Sequence, residues 1–465
     1  MDGLKLDSIR AQRYTSHMKH QRIFILLLLI YVASTASCSP GHVGGNEIAF
    51  LRDGQFWTID PDGANAFAVF TDNNTPVVGY GWSPTHQIFT FRTLDATFAK
   101  TSAAKHLFRD PITALTGDLP STLNTIGIDG GSPIPIIFSN PALRYSNAWW
   151  NTVGNRLIYR EEITAATPST VFWWASQNDQ PGGIARKLLP NSYSIPSIAP
   201  DSSLVLGISK QGIFTSTLNG TNIHYIYHGT LPGHPFFATL ERALWQPAHQ
   251  HPAILYAIES LDSTQHGSSS NSSITVELLL NDLHGHTTTL AKCGCTQFAW
   301  APDGNHILYS NGPTFTIHNL VDGSSFSIDA EVGSIPYWSP DSQSLLLDGL
   351  HTLVLIKIKN QQQQLLLDDA NMASIPASQA APIVDVNTLL QPVANSLWAA
   401  DGRHFLFSTR ERLFWQGKPL VSGRGLYTVT IDSHEQLQGT PVIVDAGRDS
   451  QAGWSYEDPN TSFLF

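Results

Sequence analysis

The chain has 465 residues, a formal net charge of −11, and a charged fraction of 14%, against roughly 25% in ordinary soluble chains. An acid-biased body this poor in charge excludes a nucleic-acid binder and a protein that lies on an anionic membrane surface, since both need a basic patch. Its three cysteines are too few for a disulfide framework or a four-ligand zinc site.

In chain order, the first element is an export signal. Lys5, Arg10, Arg13, Lys19 and Arg22 lead directly into the apolar run Ile23 to Ala33, the order of a charged n-region and an apolar h-region. The run is 11 residues long, well short of the roughly 20 that a helix needs to cross a bilayer. The small residues that follow, Ser34-Thr35-Ala36-Ser37-Cys38, resemble the lipobox of bacterial lipoproteins. That resemblance implies cleavage before Cys38, with a diacylglycerol on its thiol as the membrane anchor. An ordinary signal peptide cut after Ala36 or Ser37 stands as the alternative. Removing residues 1–37 takes away five basic and two acidic residues and moves the formal charge by −3, from −11 to −14. The expected division is a signal peptide over 1–37, a lipid-anchored tether over 38–45 and one folded domain over 46–465.

The folded domain is written in repeats. An apolar residue, usually Trp, precedes a turn and then a short apolar strand. The clearest copies begin at Trp300, with Pro302-Asp303-Gly304 and the strand His306 to Ser310; at Trp338, with Pro340-Asp341-Ser342; and at Trp398, with Asp401-Gly402 and His404 to Ser408. Looser copies begin at Trp82, Trp150, Ile198, Trp245 and Trp454, giving eight anchors. Proline presets φ at the second turn position, Asp accepts from its downstream backbone, and Gly tolerates positive φ, so each unit predicts a hairpin with the anchor ending its first strand. A third strand with period-two alternation follows, as in Phe214 to Ser216, Phe315 to Ile317 and Leu426 to Ile431. Second turns at Asp60 to Gly63, Asn219-Gly220, Gly285 and Asp322-Gly323 then lead to a fourth strand.

Four antiparallel strands per unit predict an all-β fold, a single closed β-propeller. Eight blades follow from the anchors, and seven is the alternative because Trp150 lacks Pro-Asp-Gly. The wording of the unit resembles the TolB-type, WD40-like propeller repeat of bacterial envelope proteins, over nearly all of residues 46–465. Neither the N-terminal domain of TolB nor a peptidase domain of the prolyl-oligopeptidase kind is expected, and the nucleophile elbow Gly-x-Ser-x-Gly is absent from the sequence. The N-terminal strands before the first anchor and the anchor at Trp454, with its strand Thr461 to Phe465, are expected to complete one blade and close the ring. Surface excursions are expected at Lys100 to Asn140, Asp262 to Ser273 and Gln361 to Asn387.

Candidate chemistry is sparse. His249 with His251, His284 with His286, and the trio His224, His228 and His234 could begin a metal site, but most sit beside turn residues with no regularly spaced carboxylate. The turn aspartates Asp201, Asp303, Asp341 and Asp401 read as backbone hydrogen-bond acceptors. Trp149, Trp150, Trp173 and Trp174 are the aromatic pairs that could stack on a glycan, Trp173 and Trp174 because they lie off the anchor register. Cys293 and Cys295 are equally compatible with free thiols and with a bridge. The expectation is a non-catalytic, extracytoplasmic envelope lipoprotein, a monomer without cofactor or metal. Cys38 would be its one assigned site, as the lipidation residue, and its ligand an unidentified envelope protein, peptide or glycan. The alternative is a propeller enzyme, a metal-dependent lyase or hydrolase with its site at the central channel.

Overall fold

Eight blades follow one another around a ring, each built on an anchor. In this computed structural model the described residues are 47–454 except 85–86, 108–118, 152–153, 155, 165–169, 178–185, 188–195, 210, 230–242, 248–251, 262–273, 294, 296, 332, 350–351, 369–397, 410–413, 416–417, 420–424, 432–436 and 446–448. They belong to one compact unit, Gly44–Phe465. Cys38, the 38–45 tether and Thr461 to Phe465 lie outside them.

Blade 2 shows the plan: Val77–Trp82, Ile88–Leu94, Ser121–Gly127 and Gly130–Ile137 pair in that order, each antiparallel to the last. Burial falls from first strand to fourth, from every residue of Val77–Trp82 to only Ile136 in Gly130–Ile137. The first strand is therefore the inner one. Blades 4 to 7 repeat the order from Ser197–Ile198, Ala243–Trp245, Phe298–Trp300 and Ile335–Trp338. In blade 8 the described part of the first strand is the bridge Trp398↔Phe405, followed by His404–Thr409, Gly425–Ile431 and Leu437–Asp445. Blade 1 joins the two ends of the chain: Asp449–Trp454 lies beside Ile48–Arg52, with Trp454 opposite Ile48, and Gln55–Ile59 and Phe67–Phe70 complete it.

The anchors do more than fill space. Trp300, Trp338 and Trp398 are fully buried. Three anchor indoles reach back one blade and donate to the carbonyl just before that blade's own anchor position: Trp245 to Ser197, 3.2 Å; Trp300 to Leu244, 3.4 Å; Trp398 to Tyr337, 3.1 Å. In those three blades a directed N–H distinguishes Trp from Phe, whereas the Trp82, Trp150 and Trp338 indoles have no hydrogen-bond partner among the described residues and contribute by burial alone. The turn after the anchor is closed by the N–H four residues on, as in Gly304 to Ala301 O (2.9 Å) and Gly402 to Ala399 O (3.0 Å). The turn aspartates accept from the N–H two residues ahead: Ser203 to Asp201, Asn305 to Asp303, Gln343 to Asp341, Arg403 to Asp401. Where the turn glycine is replaced, Ser202 and Ser342 hold φ of 61° and 59°, a region that disfavours side chains. Each hydroxyl takes a partner from the preceding blade there: Ser202 Oγ accepts from Asn151 Nδ2, and Ser342 Oγ from the Asp303 N–H.

Two expectations are corrected. The Lys100 to Asn140 excursion is not one loop, because Ser121–Gly127 and Gly130–Ile137 are the outer strands of blade 2. Its prolines, Pro133 and Pro135, stand two apart on an edge strand, where a missing N–H leaves no ladder bond unmade. The insertion itself is 95–120. Likewise Gln363–Asp368 is the outer strand of blade 7 rather than part of an excursion. Trp150 does mark a blade: its inner strand is split into Leu143–Tyr145 and Trp149–Trp150, both paired with Arg156–Ile163, so the ring has eight blades and not seven.

Candidate functional site

An antiparallel meander sends its connections to two ends. The turns joining first to second and third to fourth strands lie at one end of the ring; those joining second to third strands and one blade to the next lie at the other. At the first end every connection is short, the longest being 178–185 and 246–253. The second end has the strand ends joined by 95–120, 229–242, 262–273, 369–397 and 410–424. The short end carries twelve acidic and two basic residues in its connections, while the long end carries eleven acidic and ten basic. The strand ends that bear the long insertions, and by sequence nearly all the basic connection residues, thus belong to one end of the ring.

The described part of 95–120 shows how that face is held to the ring. Asp95 Oδ1 accepts from the N–H groups of Thr97 and Phe98, both 2.9 Å, starting a 3₁₀ turn at Phe98–Lys100 and then a helix at Ser102–Leu107. Its Oδ2 accepts from Ser139 Oγ at 2.8 Å. Burial pushes the Asp95 carboxyl upward, but the Phe98, Ser139 and Thr97 donors outweigh it and leave the group below the usual carboxylate range. Ala104 is fully buried against Val78, Leu94 and Leu119, and Leu119 bridges to Tyr145 of blade 3. The insertion therefore covers the start of the inner strand of blade 2.

Beneath it lies a buried polar cluster. Arg92, 1% exposed, donates from Nε to Asn147 Oδ1 at 2.7 Å and from Nη1 to the Tyr145 carbonyl at 2.5 Å. Asn147 can reach it because residue 79 is glycine: a Cβ there would stand 2.1 Å from Asn147 Oδ1. Burial and the neighbouring Glu161 carboxylate, which accepts from Tyr145, push the Tyr145 and Tyr159 hydroxyls well above their usual range, so both stay neutral. Farther round, Gln297 donates to Ser310 Oγ at 2.9 Å and to the Ser334 carbonyl of blade 7 at 3.4 Å. Arg92 and the Gln297 side chain join blade to blade, and none of these groups is paired as nucleophile and base.

The sequence candidates fall at scattered places. Trp149 and Trp150 are half-buried in the split inner strand of blade 3, and Trp173 and Trp174 stand in its third strand, opposite Arg160 and Tyr159. His224 and His228 are exposed on the outer strand of blade 4, while His234, His249 and His251 lie outside the described residues. Desolvation raises the Asp282 carboxyl, but the bond with His286 at 2.9 Å and the N–H groups of His286 and His284 together outweigh it and leave Asp282 at about 2. His306 and His404 pair in the same way with Asp303 (2.9 Å) and Asp401 (2.7 Å). Among the described residues no three His, Cys, Asp or Glu are grouped to hold a metal. Cys293 and Cys295 are joined by a disulfide, both buried, at the connection from blade 5 to blade 6. Sequence reading missed the segregation of long connections to one end, which spacing between the anchors and second turns could have revealed. It also missed the Gly79, Arg92 and Asn147 cluster, for which no sequence signal exists.

These features define an eight-bladed β-propeller protein with one elaborated face. No protein-family model matches the sequence, and no curated protein matches it. Among solved structures, the chain is similar to a eukaryotic initiation factor, with TM-score 0.50 and 11% identity over 90% of this chain and 100% of that one. It also resembles an oligogalacturonate lyase from Vibrio parahaemolyticus, at TM-score 0.44 and 11% identity over 84% of this chain and 88% of that one. TolB from Acinetobacter baumannii aligns at TM-score 0.31 and 14% identity, over 59% of this chain and 75% of that one. At such identities likeness extends to the fold and no further.

Proposed function

We propose that this protein is a non-catalytic binding or scaffolding propeller, exported and held at the cell envelope by a lipid on Cys38, that carries a protein, peptide or glycan ligand on its long-connection face. The observation that carries the reading is that the strand ends bearing every long insertion belong to one end of the ring, with connections of mixed charge there and short acidic ones at the other. Loops longer than about 12 residues on a rigid scaffold are more often functional than incidental. Arg92 and Gln297 are engaged in inter-blade bonds, which supports binding over turnover. The lipobox-like Ser34 to Cys38 supports the anchor.

The test compares the immobilised mature protein with a variant in which 96–119 is replaced by a two-residue turn, for capture of envelope proteins and glycans. Loss of a captured ligand by an equally stable variant is the expected outcome. Identical capture by both removes this insertion from the face, and turnover of a polysaccharide or peptide library by the wild type refutes the non-catalytic reading. Cys38→Ser should release the protein from the membrane fraction; a native N-terminus without diacylglycerol refutes the anchor.

A further inference from the structure

At the opposite, short-turn end, blades 3 and 4 leave a cleft of about 370 Å³ lined by Arg156, Ser203, Thr217, Leu218, Asn219, Thr221 and Asn222. We infer that this cleft is a binding site for a small hydroxylated carboxylate of the sugar-acid class, with the Arg156 guanidinium on its carboxylate.

The first support comes from the repeat itself. Arg156 stands six residues after its anchor, Trp150, where blades 6 and 8 carry His306 and His404 after Trp300 and Trp398. Those histidines are each held by the turn aspartate three residues earlier, Asp303 and Asp401. In blade 3 that earlier position is Val153. Arg156 thus stands at the histidine position of blades 6 and 8 without a carboxylate three residues earlier, and among the described residues its guanidinium has no hydrogen-bond or ion-pair partner.

The second support is the donor arrangement across the cleft. Asn219 Oδ1 accepts from the Thr221 N–H at 3.4 Å, from Thr221 Oγ1 at 2.7 Å and from Thr217 Oγ1. A backbone N–H can only donate, so these bonds fix which end of the amide is oxygen and leave Nδ2 as an oriented donor. The nearby Asp201 carboxylate is engaged by the N–H and hydroxyl of Ser203, at 3.0 and 2.7 Å. An unpaired guanidinium, an oriented amide N–H and the apolar Leu218 suit a ligand that offers a carboxylate, hydroxyl acceptors and a carbon face. Charges of the other acidic turns lie beyond this contact and are screened over roughly 8 Å at physiological salt.

The test titrates the mature protein with sodium D-glucuronate, D-glucose and inorganic phosphate, followed by ligand-observed NMR. Glucuronate should bind in the millimolar range and glucose at least about tenfold more weakly. Arg156→Gln should lose the binding, and so should Val153→Asp, which restores the carboxylate that blades 6 and 8 carry; both should melt like the wild type. Failure of glucuronate to saturate, equal binding of glucose or of phosphate, or unchanged binding in either variant overturns the inference. Because the cleft lies at the short-turn end, replacing 96–119 should leave glucuronate binding untouched, so this site and the proposed long-connection face can fail independently.

Discussion

Replacing Gly79 with alanine should be among the most costly single-methyl additions in this ring, and the reason lies in another blade. The new Cβ would stand 2.1 Å from Asn147 Oδ1 and 2.9 Å from its Cγ. Asn147 must then move, and the 2.7 Å bond from Arg92 Nε, made where the guanidinium is 1% exposed, is lost with it. Overpacking costs about 1–3 kcal/mol and a lost bond to a buried charge about 1.5–3 kcal/mol, so Gly79→Ala should destabilise by about 3–5 kcal/mol. Asn147→Ala alone removes the bond but leaves room at residue 79, and should cost about 2–3 kcal/mol. In the double variant the clashing atoms are gone, so its cost should match that of Asn147→Ala, a coupling of about 2 kcal/mol or more. Urea denaturation of the four proteins, with m-values compared, measures this. Costs that add to within about 0.5 kcal/mol would refute the argument, because they would mean that the methyl and the amide do not compete for the same space.

Trp300→Phe should cost about 1 kcal/mol more than Trp338→Phe, since the Trp300 indole donates to Leu244 while the buried Trp338 Nε1 has no partner to lose; equal costs by denaturation would sink the idea that the reach-back bond matters. Burial raises the Asp401 carboxyl, but the bonds from His404 and from the Arg403 N–H outweigh it, so its folded pKa lies below the ordinary value. The stability it supplies is therefore complete above the ordinary carboxylate range and is lost as pH falls through the lowered value, and Asp401→Asn should flatten the acid limb of the stability profile; an unchanged acid limb would show that the pairing is idle. Ending the chain after Arg448 removes the strand Asp449–Trp454 and uncovers Ile48–Arg52, whose Ile48, Ala49 and Phe50 are fully buried. This truncation should abolish a cooperative melt, and a transition within a few degrees of the parent would show that the ring does not depend on this closure.

Much of the fold was legible because the repeat is carried by residues with one structural job each. Trp, Pro, Asp and Gly in fixed order specify a strand end and a turn, and the copies at Trp300, Trp338 and Trp398 hold the hydrogen bonds that this chemistry dictates. What was hidden depended on pairing. Ser121–Gly127 and Gly130–Ile137 read as loop because glycine and proline are local breakers, yet an outer strand needs only one paired edge. The inner-rim cluster was equally hidden, because Gly79, Arg92 and Asn147 meet through tertiary packing and belong to no motif. The Cys293–Cys295 bridge was undecided because spacing alone allows thiols or a disulfide at a strand end.

A repeat protein supplies its own standard of comparison, and the departures from it are where physical explanation is owed. Ser202 and Ser342 stand at a positive-φ position that glycine fills in blades 6 and 8, and both spend their hydroxyls on a bond to the preceding blade. That substitution has a structural return, so no ligand need be invoked for it. The break in the inner strand of blade 3 likewise coincides with Asn147, which passes over Gly79 and bonds Arg92 of blade 2. Arg156 differs from these two. Its turn carries Val153 where the equivalent histidines have an aspartate, and among the described residues the guanidinium has no partner. A half-buried cation retained without its partner is costly unless something else supplies the negative charge. The contrast between a departure with a return and one without separates blade-to-blade carpentry from a candidate ligand contact, and it places the latter in the cleft between blades 3 and 4.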